Sequence, residues 1–261
     1  MSALTLMSAA AARVSPAPDR VDASAAGAPA LTLKVGGVTP FSATDYPGKL
    51  AAAVFVQGCP WRCGYCHNPH LQPRTGSSPV SWSAVLDLLK RRVGLIDAVV
   101  FSGGEPTMDP GLADAIRAVR SLGFGVGLHS AGMYPRRLAE VLALVDWVGL
   151  DVKSSWPGYD AITGIFDSAR QARAGAELVL ASGIAHEFRT TVHPALHTEA
   201  DILALAKTLQ AMGVRHYVLQ VFRATGCGDA RLNAGSTLGY PGAKLLAQVA
   251  ALFDSFTLRQ A

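Results

Sequence analysis

Three cysteines stand at C-x3-C-x2-C spacing in Gly58-Cys59-Pro60-Trp61-Arg62-Cys63-Gly64-Tyr65-Cys66, directly after the apolar run 51–56. Three thiolates on one tight loop can hold three corners of an iron–sulfur cube and leave the fourth iron open to an incoming ligand. A structural zinc or a closed cluster needs a fourth protein ligand, and a zinc knob completed by His67 or His70 is the rival reading. A disulfide does not suit a chain with 4 cysteines in 261 residues and no secretory signature, for which reducing surroundings are the default.

Such a loop needs stiff elements beneath it. Residues 31–38 and 50–57 read as an extended pair, and 98–101, 125–129, 148–152, 188–192 and 217–222 read as strands, each brief, mostly apolar and bounded by turn residues. Amphipathic stretches lie between them. After Met108 the start signals are Asp109 as cap and Pro110 at the first helical position, with Leu112, Ile116 and Val119 on one face and Gly123 past the end. Another helix runs from Thr198, with Ile202, Leu205, Ala206 and Leu209 facing the core, and others cover 85–89, 138–145 and 172–181. Six alternations predict an α/β fold with a curved, barrel-like parallel sheet and right-handed helical crossovers. No G-x-G-x-x-G follows the first strand, which argues against a dinucleotide-binding sheet. The unusual residues all fall at C-terminal strand ends, the rim where barrels build sites. The cysteine loop follows the first strand of the repeat, Ser102-Gly103-Gly104-Glu105-Pro106 the second and His129-Ser130-Ala131-Gly132 the third, and Asp151-Val152-Lys153 closes the fourth.

Half of the residues are hydrophobic and 16% are charged, so the chain can bury a sizeable core, and its length fits one α/β domain over residues 32–261. The net charge of +4 is spread without a Lys/Arg block, which predicts neither nucleic acid nor a membrane as main partner. Residues 1–31, rich in Ala, Ser and Pro, are expected to form a disordered tail, because so little apolar surface cannot offset ordering entropy. With no signal-peptide pattern and no run of about 18 apolar residues, the expected location is the cytoplasm.

Cys59, Cys63 and Cys66, with Tyr65 before the last cysteine and Gly103-Gly104-Glu105 one unit later, resemble the radical S-adenosylmethionine superfamily. Within it, Thr44-Asp45-Tyr46-Pro47-Gly48-Lys49, Gln57-Gly58-Cys59 and Cys66-His67-Asn68-Pro69 are similar to activating enzymes of glycyl radical enzymes. Asp151-Val152-Lys153 followed by Tyr159 and Thr163-Gly164 resembles another motif of those activases. The likeness is greatest to the branch that activates anaerobic ribonucleoside-triphosphate reductase, and it runs from about residue 33 to about residue 253.

The resemblance implies a partial (β/α)6 barrel of the radical S-adenosylmethionine type. It further implies that Cys59, Cys63 and Cys66 ligate one 4Fe-4S cluster, whose open iron takes the amino and carboxylate groups of S-adenosylmethionine. One electron would cleave the sulfonium and yield a deoxyadenosyl radical that abstracts hydrogen, so no side chain is assigned a catalytic step. Gly103 and Gly104 would let backbone approach the cofactor's methionine end, and Glu105 would pair with its ammonium. Tyr65 would lie near the adenine, Ser130 would donate to the carboxylate, and Asp151 and Lys153, two apart on a strand, would meet ribose and carboxylate. Arg189, a cation inside an apolar strand, would face the cofactor or a structural carboxylate. The bland counterparts are a plain turn at Gly103-Gly104-Glu105, a half-buried loop aromatic at Tyr65 and a strand-end ion pair at Asp151-Lys153.

Implied partners are a glycyl radical enzyme, above all anaerobic ribonucleotide reductase, and a low-potential electron donor such as flavodoxin or ferredoxin. Two departures stand out: His129-Ser130-Ala131-Gly132 where many activases read Asp-Thr-Asn-Gly, and Val221-Phe222-Arg223, which lacks the histidine that some activases place after the sixth strand. Cys227 is a leftover thiol and reads as an ordinary loop residue; one thiol cannot hold an auxiliary cluster. The other readings are activation of a different glycyl radical enzyme, a small-molecule enzyme such as a carboxy-deazaguanine synthase, and a zinc-stabilised binding module.

Overall fold

A parallel sheet covered by helices hides both faces, so its strands carry continuous apolar runs instead of alternating ones. The computed structural model, which describes residues 32–74 and 77–260, shows this in β2 (Ala51–Val56, AAAVFV) and β3 (Ala98–Gly103), whose apolar residues are buried with only Phe55 part-exposed. The tail expected over 1–31 lies outside the described residues. After β3 come β4 (Gly125–Ser130), β5 (Trp147–Asp151), β6 (Ala185–Val192), β7 (His216–Val221) and β8 (Ser255–Arg259). The strands pair strictly in chain order, parallel from β2 to β8, with β1 (Val35–Ser42) antiparallel on the β2 edge.

Helices make every return between parallel strands. They are α1 (Trp82–Lys90), α2 (Leu112–Ser121), α3 (Pro135–Leu142), the α4–α5 pair (Tyr159–Thr163 and Ser168–Ser182), α6 (Glu199–Ala211), and the α7–α8 pair (Ala230–Ala234 and Ala243–Ala250). α6 starts as its sequence dictates. Thr198 Oγ1 accepts from Asp201 N while Asp201 returns to Thr198 N, a reciprocal cap of about 1 kcal/mol. Its buried face is Ile202, Leu205, Ala206 and Leu209, as the spacing predicts.

The structure departs from the sequence reading at three places. β1 begins at Val35, later than expected, and runs through Pro40 to Ser42; an edge strand tolerates a proline because its missing donor faces no neighbour. α2 starts at Leu112, two residues past Pro110: Asp109 does cap the amide of Gly111 through Oδ1 (2.8 Å), but Leu112 N closes a tighter turn onto Asp109 O (3.2 Å) before the helix begins, while Oδ2 accepts from Lys34 N (3.0 Å) and Arg74 Nη1 (2.8 Å). A seventh parallel strand, β8, extends the sheet by one unit. Its residues SFTLR are all at least partly exposed and give no apolar run, but Arg259 reaches over β7 to Glu187 on β6, with Nη2 3.0 Å from Oε2 and Nη1 2.8 Å from Oε1. Among the described residues no helix is long and apolar enough to cross a membrane.

Candidate active site at the strand ends

Past β2, Gly58 adopts φ +103° and turns the chain into the loop that carries the three thiols. Backbone bonds from distant segments fasten that loop. Gly58 N donates to Leu71 O (2.8 Å), Cys59 N to Gln72 O (3.0 Å) and Arg62 N to Thr163 O (2.7 Å). Arg62 also folds its guanidinium onto the carbonyls of Cys59 (2.6 Å) and Trp61 (3.0 Å). All three thiols are half-buried. Burial, reinforced by the charge of Glu105, pushes Cys59 up to about 12; burial also raises Cys63 against the opposing pull of Lys153. Thiols this reluctant to ionise become ligands when a metal cation takes the place of the proton.

A zinc knob would need its ligands gathered round one ion, and among the described residues no three His, Cys, Asp or Glu side chains are so gathered. In a cubane each thiolate binds its own iron, so the three can stand apart. His67 is spent differently: Nε2 donates to Arg223 O (3.1 Å) and the ring stacks on Phe222 at 5.6 Å between centroids. His70 is exposed.

The end of β3 lies hard against the loop. A Cβ on Gly103 would sit 2.4 Å from Val56 N, and one on Gly104 2.3 Å from Gly58 O. That closeness lets Gly104 N donate to Val56 O (2.9 Å) and Glu105 N to Gly58 O (2.8 Å). What approaches these glycines is thus the cysteine segment's own backbone. Glu105 is 0% exposed and accepts four hydrogen bonds, three on one oxygen and one on the other. Its Oε1 accepts from Ser130 Oγ (2.8 Å), Thr107 Oγ1 (2.6 Å) and Thr107 N (3.2 Å), and Oε2 accepts from Ala131 N (2.9 Å). Burial lifts its pKa above the usual carboxylate value, and the donors pull against that rise. The carboxylate staples the end of β3 to the end of β4. Ser130 donates its hydroxyl proton to this staple and accepts from Gly132 N (3.0 Å).

β5 and β6 pair with Asp151 opposite Arg189. Arg189 Nε donates to Asp151 Oδ1 (2.9 Å) and Nη2 to Gly149 O (3.2 Å), while Lys153 Nζ donates to Asp151 Oδ2 (3.0 Å). Burial would raise Asp151, but Lys153 and Arg189 overcome it and hold the carboxyl well below its usual range. Two cations share one carboxylate, which leaves this part of the rim with a surplus positive charge. The structural carboxylate weighed for Arg189 is Asp151. Lys153 is held at both backbone groups, by Tyr159 Oη on its N–H (3.2 Å) and by His197 Nε2 on its carbonyl (3.0 Å). Its ammonium lies 5.8 Å from the centroid of the Tyr65 ring, a cation–π contact. Tyr65 is packed among Ile162, Phe222 and Leu232, and its buried hydroxyl has no hydrogen-bond partner among the described residues.

His129 is a lock. Nε2 is 2.8 Å from Asp45 O and Nδ1 is 3.1 Å from Ser102 Oγ. A carbonyl only accepts, so the proton sits on Nε2 and Nδ1 accepts from the serine. Burial, with Arg189 adding to it, lowers the pKa to about 3 and keeps the ring neutral. Cys227, in the loop after β7, places Sγ 3.4 Å from Gly64 O and packs against the Tyr65 cluster. Sequence reasoning overlooked His197, which orients Lys153, and Tyr240, whose hydroxyl donates to His197 O (2.7 Å). The signal for His197 was present: His193-Pro194-Ala195-Leu196-His197 leaves the end of β6, on the same rim as the other site residues.

A sequence profile described as the Radical SAM superfamily matches residues 53–209. A protein of Methanocaldococcus jannaschii named as a glycyl-radical enzyme activating enzyme is 29% identical over 204 residues, covering 75% of this chain and 82% of that protein. The pyruvate formate-lyase-activating enzyme of Clostridium pasteurianum is 32% identical over 137 residues, covering 50% of this chain and 57% of the enzyme. Among solved structures, Streptococcus suis SuiB bound to S-adenosylmethionine superposes with a TM-score of 0.63 at 12% identity, covering 78% of this chain and 48% of SuiB. At that identity the likeness shows a shared fold.

Proposed function

The chain belongs to the radical SAM superfamily, and from that premise we propose that it is a glycyl radical enzyme activase whose partner is an anaerobic ribonucleoside-triphosphate reductase. The observation that carries the reading is the set of three half-buried thiols on one loop, locked to Gly103-Gly104-Glu105 by backbone bonds. The relatives named as activating enzymes support the activase reading, and the Thr44 to Lys49 and Cys66 to Pro69 motifs support it from this chain's own residues.

The residues fit a 4Fe-4S cluster and S-adenosylmethionine. One loop carries three free, half-buried thiols, the rim beside them carries surplus positive charge, and the buried Tyr65 hydroxyl lacks a partner among the described residues. Bound there, the pair supplies one-electron cleavage of a sulfonium C–S bond and the hydrogen abstraction that follows. Cys59, Cys63 and Cys66 would hold three irons. Lys153 and Arg189 would draw the ligand's carboxylate or ribose oxygens, with Asp151 fixing both cations in place. Glu105 Oε2, which takes one bond, keeps a lone pair for an ammonium. Tyr65 would offer its hydroxyl at the adenine side.

A backbone glycine of a partner is a sensible target, because a Cα radical there is stabilised by the flanking amide nitrogen and carbonyl. The test is anaerobic reconstitution with iron and sulfide, addition of dithionite and S-adenosylmethionine, and measurement of 5′-deoxyadenosine. Adding the reductase should produce a glycyl EPR doublet. A full cluster without deoxyadenosine removes the enzyme reading; deoxyadenosine without a protein radical on any reductase removes the partner.

A further inference from the structure

One side of the cysteine loop opens outward. Pro60 and Trp61, between the first two thiols, form one wall of a groove of about 380 Å³, and Tyr134, Ile165, Phe166 and Arg170 form the others. Phe166 is 93% exposed, the most exposed aromatic among the described residues. It is held in that position by a bonded turn. Asp167, next along, adopts φ +56°, a left-handed conformation that costs on the order of 1 kcal/mol or more for a residue with a Cβ. Asp160 sustains it, accepting from Asp167 N (2.7 Å), Ser168 N (2.9 Å) and Ser168 Oγ (2.7 Å). The same turn grips the cysteine loop through Thr163 O, which accepts from Arg62 N at 2.7 Å. An exposed phenylalanine on a strained, fully bonded turn is a feature that a folded monomer does not need for its own core.

Arginines flank the groove, and the one in its wall, Arg170, is paired with Asp167, which also lines it. Arg62 lies across the cysteine-loop carbonyls, Arg137 lies 5.6 Å from the centroid of the Tyr134 ring, and Arg170 sits in the wall. Among the described residues no carboxylate makes an ion pair with Arg62, Arg136 or Arg137; the acids nearby in sequence are Asp160, which holds the turn, Asp167, already paired with Arg170 at 2.6 Å, and Glu140, one turn along α3.

We propose that this groove is the docking site of the electron donor, an acidic one-electron carrier protein. Its apolar redox edge would seat on Phe166 and Ile165, and its carboxylates would face the arginines. The inference rests on the activase reading, in which each turnover consumes one electron that the donor loses. Cys59, Cys63 and Cys66 are the only cysteine cluster in the sequence, so the electron comes from outside. Entering here, it meets the cysteine loop itself at Pro60-Trp61. A hydrophobic anchor ringed by charge complementary to the partner gives affinity at the centre and steering at the rim.

Flavodoxin and ferredoxin, both acidic low-potential carriers, serve as probes in binding measurements on the anaerobically reconstituted protein. Phe166→Asp and Arg170→Glu should each weaken binding of the cognate carrier by about tenfold, and affinity should fall steeply with added salt. Carrier-driven deoxyadenosine formation should fall in parallel, while dithionite-driven formation stays at the wild-type rate, because a small inorganic reductant needs no groove. Unchanged affinity for both carriers in Phe166→Asp overturns the proposal. So does a variant that keeps carrier binding and loses the glycyl radical partner, which would assign the groove to that protein. Absence of dithionite-driven cleavage in the wild type would instead strike at the activase reading, and the binding data would remain interpretable by themselves.

Discussion

At the ends of β3 and β4 the buried Glu105 carboxylate meets four donors, and on β5 and β6 Asp151 bridges two cations. On the neighbouring cysteine loop, Cys59 and Cys63 carry thiols that burial keeps protonated, and the Tyr65 hydroxyl is buried without a partner among the described residues. The rim is therefore shaped by the protein's own contacts. The loop has backbone support but side chains whose needs the protein leaves unmet. Substitutions on the rim should act first on folding, and substitutions of the loop's side chains first on what the loop binds.

The contrast is tested most severely at the thiols. Replacing Cys59, Cys63 or Cys66 singly by Ser should reduce reconstituted iron and deoxyadenosine formation to background while the far-ultraviolet circular dichroism stays native. Unfolding of all three variants would show the loop to be as structural as the rim. Glu105→Ala should be the costliest single change to stability, about 3–5 kcal/mol in urea denaturation of the iron-free protein, because it strips four buried donors of their acceptor. Glu105→Gln, which keeps the shape, should lose less.

A third effect, of intermediate size, is pH-dependent. His129 has its folded pKa lowered to about 3, whereas an unfolded histidine titrates near 6.5. Below about pH 6.5 the unfolded chain takes up a proton that the folded state refuses, so stability is fully present above that pH and drains away as pH falls toward 3. The loss should be on the order of 2–4 kcal/mol, and His129→Gln should flatten that limb of a stability-against-pH curve. The smallest effect belongs to the loop. Tyr65→Phe removes an unsatisfied hydroxyl and should leave iron-free stability unchanged or raise it by up to about 1 kcal/mol, while S-adenosylmethionine affinity in the reconstituted protein falls. A clear loss of stability would mean that the hydroxyl has a partner after all.

Much of this arrangement was legible in the sequence, because it rests on local signals. Apolar runs bounded by turn residues marked the strands, and the spacing of Ile202, Leu205, Ala206 and Leu209 after Thr198 marked α6. The placing of odd residues after strands gave the rim. What escaped was set by pairing across distance. The register that puts Asp151 opposite Arg189 decides that a carboxylate satisfies the buried arginine, and no local pattern contains it. The bond from Ser130 to Glu105, 25 residues apart, is equally invisible to local pattern. β8 was missed because its apolar residues alternate with polar ones at a sheet edge, and Arg259 finds Glu187 only across an intervening strand.

The fastening of the cysteine loop has a consequence for how the protein is made. Its clasps are Leu71 and Gln72 nearby, then Thr163, and at last Arg223 and Cys227. A ribosome delivers the N-terminal side first. The thiols of Cys59, Cys63 and Cys66 therefore emerge well before the later clasps exist, so their loop is open during synthesis and buckled once Arg223 and Cys227 have arrived.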